Sequence, residues 1–201
     1  FAAEYNTDDM TFKLAAGNAG IEAATNEIIS SSELTILVLV YIWVGVMCMI
    51  TFRSVPATIC IVLPLILTSV MGNALMAFLG IGMKVATLPV IALGVGIGVD
   101  YGIYVYSRLE TFLRQGMPLQ EAYYETLRST GKAVLFTGLC LAIGVATWIF
   151  SAIKFQADMG LMLTFMFLVN MIGAMLLLPA LARFLINPEK VRKSKGSKLS
   201  H

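Results

Sequence analysis

The sequence predicts an all-α membrane protein with five transmembrane helices. Three observations predict it. Apolar residues make up 58% of the 201-residue chain and charged residues 13%, where a soluble domain carries about a quarter charged; the mean hydropathy is +0.84. Five stretches, Leu34–Phe52, Ser54–Met83, Val85–Ser107, Ala133–Ile153 and Met159–Ala182, have about the length at which an apolar helix crosses a bilayer. Four of them hold no charge, and the third holds only Asp100. None shows the wide polar face that a water-exposed helix needs, which sets aside a soluble helical bundle.

The elements follow in order. Residues 1–33 are more polar than the rest: Met10–Ala15 reads as a short strand, and Asn18–Ser32 has helical spacing, with Ile21, Ala24, Ile28 and Ile29 on one stripe. With no initiator Met and too little to bury a core, this segment reads as the end of a larger extracytoplasmic domain and its lead-in helix. The transmembrane domain is 34–186, with spans at about 34–52, 55–80, 85–107, 132–153 and 159–185. Arg53–Val55 and Gly80–Lys84 are tight turns. Pro64 should kink the second span, Pro89 stands near the start of the third, where a missing N–H costs little, and Pro179 lies near the end of the fifth. Between the third and fourth spans, Pro118 can start an amphipathic helix over about 118–129. Leu119, Ala122, Tyr123 and Leu127 share one face, with Glu121, Glu125 and Arg128 on the wetter side. Such a helix serves either as a coupler between helix groups or as a linker on the lipid surface. Ser129-Thr130-Gly131 should break it before the fourth span. Residues 187–201 form a basic tail.

Charge sets the orientation. If the N-terminus lies outside and the spans alternate, eleven Lys and Arg side chains fall inside and three outside, Lys13, Lys84 and Lys154. The positive-inside rule then places the N-terminus in the periplasm and the C-terminus in the cytoplasm. Cys48, Cys60 and Cys140 fall within spans and read as small apolar residues rather than a disulfide framework. The single histidine is His201, so no His-based metal site or catalytic dyad is available within the chain. No cofactor, metal or nucleic acid is expected.

Asp100 is the residue that carries function. A carboxyl among lipid tails is costly, and an ionisable group there is a functional site by default. At 100° per residue, Gly94, Gly98 and Gly102 form one bare row, and Gly96, Asp100 and Tyr104 another roughly 160° around. The four glycines suit close helix packing. Burial disfavours the charged carboxylate, so Asp100 should be neutral when dry and ionised when wet. It can thereby carry a proton across part of the membrane. Tyr101 and Tyr104 adjoin it, and Thr137, one turn into the fourth span, either extends the proton path or ties helices together. Asn73 and Asn170 read as hydrogen-bonding glue between helices. An intramembrane aspartyl protease needs two carboxyls sharing a proton, and the spans hold one. No nucleophilic serine motif, phosphate-cradling loop or zinc signature occurs.

Gly94–Asp100-Tyr101 followed by Tyr104–Arg108 resembles the fourth helix of a half-transporter of the resistance-nodulation-division (RND) superfamily, and more narrowly its MmpL-like branch of hydrophobe and lipid exporters. Phe12–Asn26 is similar to the return from a porter domain, and Gly116–Ala133 to the family's inside loop. The resemblance implies twelve membrane helices in two halves, each with a periplasmic insert. This chain would supply the last five helices of the C-terminal half, an RND-type half-bundle preceded by the tail of a porter domain. It implies that Asp100 is the titrating acid and that Tyr101 bonds the opposing aspartate of the N-terminal half, which this chain lacks. The function implied is proton-driven export of hydrophobic or amphiphilic molecules from the bacterial inner membrane, by a secondary transporter of the antiport type rather than an enzyme. Its partners would be the other half, membrane lipids and the substrate, with homo-oligomers left open. The alternative is a sterol- or lipid-sensing, or protein-translocation-assisting, module without export.

Overall fold

The structure is a computed structural model that describes residues 18–81 and 88–185. Seven α-helices follow in order: α1 (Asn18–Phe52), α2 (Val55–Phe78), α3 (Leu88–Arg114), α4 (Leu119–Thr126), α5 (Lys132–Ala146), α6 (Lys154–Ile172) and α7 (Leu178–Leu185). Two five-residue π-helical turns join α4 to α5 (Leu127–Gly131) and α6 to α7 (Gly173–Leu177), and α5 tightens into a 3₁₀ turn at Thr147–Phe150. The result is an all-α protein with five helical spans long and apolar enough to cross a membrane: Thr35–Phe52, Val55–Phe78, Val90–Arg114, Leu119–Phe150 and Lys154–Leu185. The expected strand at Met10–Ala15, the tail at 187–201 and most of the turn at Gly80–Lys84 lie outside the described residues.

The boundaries have physical causes. The expected lead-in helix and first span are one helix of 35 residues, roughly 52 Å long and longer than the hydrocarbon core needs. It ends at Arg53, whose φ of 49° turns the chain. At the far end of α2, Gly80 takes φ 65°, and the Gly80 and Ile81 amides donate to the carbonyls of Ala77 and Met76, a glycine-closed helix end. Gly116 (φ 93°) closes α3 in the same way, with its amide and that of Met117 donating to Leu113 and Phe112. The third span runs seven residues beyond the expected end at Ser107. Val105, Leu109 and Leu113 continue its buried stripe at helical spacing, and α4 packs back against this extension.

The expected break at Ser129-Thr130-Gly131 is corrected by the structure. The backbone stays helical from Leu119 through Lys132, so the amphipathic helix is continuous with the fourth span. The Ser129 hydroxyl donates to the Glu125 and Thr126 carbonyls at 2.7 and 3.3 Å. It therefore bonds back to the preceding turn of its own helix instead of stopping the helix.

Packing centres on α3, which touches α1, α2, α4 and α6. Its glycine row makes this possible. A Cβ on Gly94 would stand 2.5 Å from Met166 of α6, one on Gly98 2.5 Å from the Asn170 amide and 2.6 Å from Leu65, and one on Gly102 2.9 Å from Ile61 of α2. Bare backbone at these three positions admits both neighbours. Tyr41 of α1 adds a polar tie to α2, meeting Ser69 Oγ at 2.6 Å and donating to the Leu65 carbonyl at 2.9 Å. By contrast, α1 and α5 leave large apolar side chains open, among them Ile42, Trp43, Phe136 and Ile143.

Candidate functional site

Helix α3 turns the glycine row and the Asp100 row in different directions. Gly94, Gly98 and Gly102 face the bundle, whereas Gly96, Asp100 and Tyr104 face outward beside α5. Gly96 is therefore not a packing position within this chain: nothing lies within 4 Å of where its Cβ would be. Its place in the Asp100 row, a half-turn from the packed glycines, is the reason.

Asp100, Tyr101, Tyr104 and Thr137 line a single cavity of about 490 Å³ between α3 and the α4–α5 helix. Ile97, Ala133, Val134 and Leu141 supply apolar walls. The cavity holds no Lys, Arg or His, so nothing within it pins the Asp100 carboxyl as an ion pair. Among the described residues Asp100 has neither a hydrogen bond nor a salt bridge, and contrary to the expectation of burial it is exposed on this chain. Its neighbour is the buried one. Tyr101 is 3% exposed, and its hydroxyl finds no partner; an unpaired buried hydroxyl costs free energy unless a further group or water meets it. Tyr104 is 64% exposed at the open rim.

Sequence reasoning missed Thr130, which lines the same cavity from the π turn. The signal was present: Thr130, Val134, Thr137 and Leu141 lie at steps of four, three and four, one helical face. It was obscured by expecting a break there. Of the two asparagines, Asn170 does bind helices together, its Nδ2 donating to the Gly94 carbonyl at 2.8 Å. Asn73 Oδ1 has no partner.

A carboxyl, two phenols and two alcohols around one cavity can accept, hold and pass a proton. The family model described as "MMPL family" matches residues 2–196. The chain belongs to the MMPL family. Relatives of this MMPL-family chain include MJ1562 of Methanocaldococcus jannaschii, described as a membrane protein, 26% identical over 168 residues (84% of this chain, 43% of that protein). SCO6666 of Streptomyces coelicolor, also described as a membrane protein, is 34% identical over 110 residues (53% of this chain, 16% of that protein). The sulfolipid-1 exporter MmpL8 of Mycobacterium tuberculosis is 32% identical over 130 residues (61% of this chain, 12% of that protein). The chain thus spans less than half the length of each of these relatives. The resemblance read from Gly94–Tyr101 agrees with this membership, and the helices with a multi-pass membrane protein.

Proposed function

We propose that this chain is part of the proton-translocating membrane domain of a transporter that exports lipids or other hydrophobic molecules, driven by the proton-motive force. The observation that carries the reading is the gathering of Asp100, Tyr101, Tyr104 and Thr137 around one cavity, with Asp100 the one charged residue of the stretch Val85–Ser107. The printed name of the mycobacterial relative, a sulfolipid-1 exporter, supports a lipid-like cargo.

In this mechanism no bond of the cargo is made or broken. Asp100 takes up a proton when the cavity is wet on one side and releases it when wet on the other. One charge crossing the full field gains about 2.3 kcal/mol per 100 mV, enough to bias two conformations that differ by a few kcal/mol. The open face of Asp100 and Tyr104, with the exposed apolar side chains of the neighbouring α5 such as Phe136 and Ile143, is the face for the other half of the transporter. That half would bring an aspartate within reach of Tyr101. The N-terminus faces the periplasm and the basic end the cytoplasm of an inner-membrane protein.

Asp100→Asn in the whole protein tests the reading. Transport should cease while expression and membrane insertion persist; undiminished transport rejects it. An uncoupler separates export from lipid sensing, since sensing survives a collapsed proton gradient.

A further inference from the structure

The two π turns meet each other, and one tyrosine outside the cavity ties α4 to the second of them. In an α-helix the Met175 carbonyl would accept from the amide four residues on, but that residue is Pro179. Proline brings no N–H, and its ring presses on the carbonyl four residues before it. The π turn at Gly173–Leu177 lies just where this conflict falls and relieves it by widening the helix. The Met175 carbonyl then accepts from the Tyr123 hydroxyl of α4 at 2.9 Å.

The other π turn lies alongside. A Cβ on Gly131 would stand 3.7 Å from the end of the Met175 side chain. The buried positions of this helix run Ala122, Thr126, Gly131, Val134, Gly138 and Ala142. Every step is three or four except the five from Thr126 to Gly131, and the π turn absorbs that extra residue. Collapsing it to an α turn would rotate all that follows by about 100° relative to α4. Thr130, within the turn, and Thr137, beyond it, both line the Asp100 cavity, so the turn sets which side chains face the carboxyl.

We propose that the Tyr123–Met175 hydrogen bond is the joint by which α6–α7 holds the wall of α4–α5 in register with Asp100, which makes Tyr123 a positioning residue for that carboxyl. The inference rests on the proton reading above and adds the element that couples helix movement to the proton site. A widened turn that can pass an extra residue along is a two-state element, and the bond selects one state. Beside Asp100 on its own wall of the cavity are Tyr101 and Tyr104 of the same helix. From the opposite wall come only the hydroxyls of Thr130 and Thr137 and apolar side chains; neither α2 nor α6 contributes a lining residue. The wall therefore acts on Asp100 through hydroxyl contact and access of water, not through charge.

The test is infrared titration of the Asp100 carboxyl band in the whole protein in proteoliposomes, the band being identified by its loss in Asp100→Asn. Tyr123→Phe keeps the ring and removes the donor. One hydrogen bond weighting a two-state equilibrium about fivefold moves the titration midpoint by roughly 0.7 pH units. Pro179→Ala returns an N–H to the Met175 carbonyl, loosens the joint from the other side and moves the midpoint as well. Tyr41→Phe removes an interhelical bond remote from both π turns and leaves it in place. A Tyr123→Phe protein that titrates like the parent overturns the inference, as does an equal shift in Tyr41→Phe. If the parent band never titrates, the proton reading itself falls, and this inference with it.

Discussion

Gly98→Ala is the most informative packing substitution. The new methyl would stand 2.5 Å from both Cγ and Nδ2 of Asn170 and 2.6 Å from Leu65 Cδ2. Asn170 is 4% exposed and Leu65 3%, so neither has space to retreat into. Overpacking of this kind costs about 1–3 kcal/mol. Moving Asn170 also strains its 2.8 Å bond to the Gly94 carbonyl, worth about 0.5–1.5 kcal/mol. Against this, alanine is favoured over glycine in a helix by about 0.8–1.0 kcal/mol. The net expectation is a loss of roughly 1–3 kcal/mol, from these same contributions. Gly45→Ala in α1 is the internal control, because nothing lies within 4 Å of where its methyl would stand; it should be neutral or stabilising by up to about 1 kcal/mol. Reversible unfolding of the whole protein in mixed micelles measures both. A Gly98→Ala protein as stable as Gly45→Ala would refute the claim that α3 seats its neighbours through this glycine.

Other expectations follow from single contacts. Tyr41→Phe, which loses the bonds to Ser69 and Leu65, should destabilise by about 0.6 kcal/mol and no more than about 1.7, the range for polar ties between membrane helices; the same unfolding assay checks it. Thr137→Val should lower the transport rate in a flux assay severalfold without changing the unfolding midpoint, since Thr137 is exposed and lines the Asp100 cavity. Cys48 and Cys60, both fully buried, should resist maleimide until the protein is unfolded, as mass spectrometry of labelled peptides would show. Glu110→Gln breaks the 2.7 Å pair with Arg114 at a cost under about 1 kcal/mol that fades with added salt, because the pair lies at a partly exposed helix end.

Much of this architecture was legible in the residues. Runs of uncharged side chains mark the five spans, because hydrocarbon tolerates few charges and demands internal hydrogen bonding. The repeat at four separates a packed glycine row from the Asp100 row, because helix geometry is local. Sequence alone therefore determined the fold class and singled out Asp100 with three of the groups that line a cavity beside it. Tertiary structure decided what depends on which surface meets which. It showed that Gly96 faces no neighbour in this chain, that Tyr101 rather than Asp100 is the buried member of the pair, and that Thr130 joins the cavity. It also showed that Ser129-Thr130-Gly131 continues as a π turn where turn-forming residues suggested a stop. Local propensity favours a break there by no more than about 1 kcal/mol per residue, whereas packing against Met175 and the Tyr123 bond act from residues more than forty positions away. No reading of neighbours along the chain can weigh contacts made across the bundle.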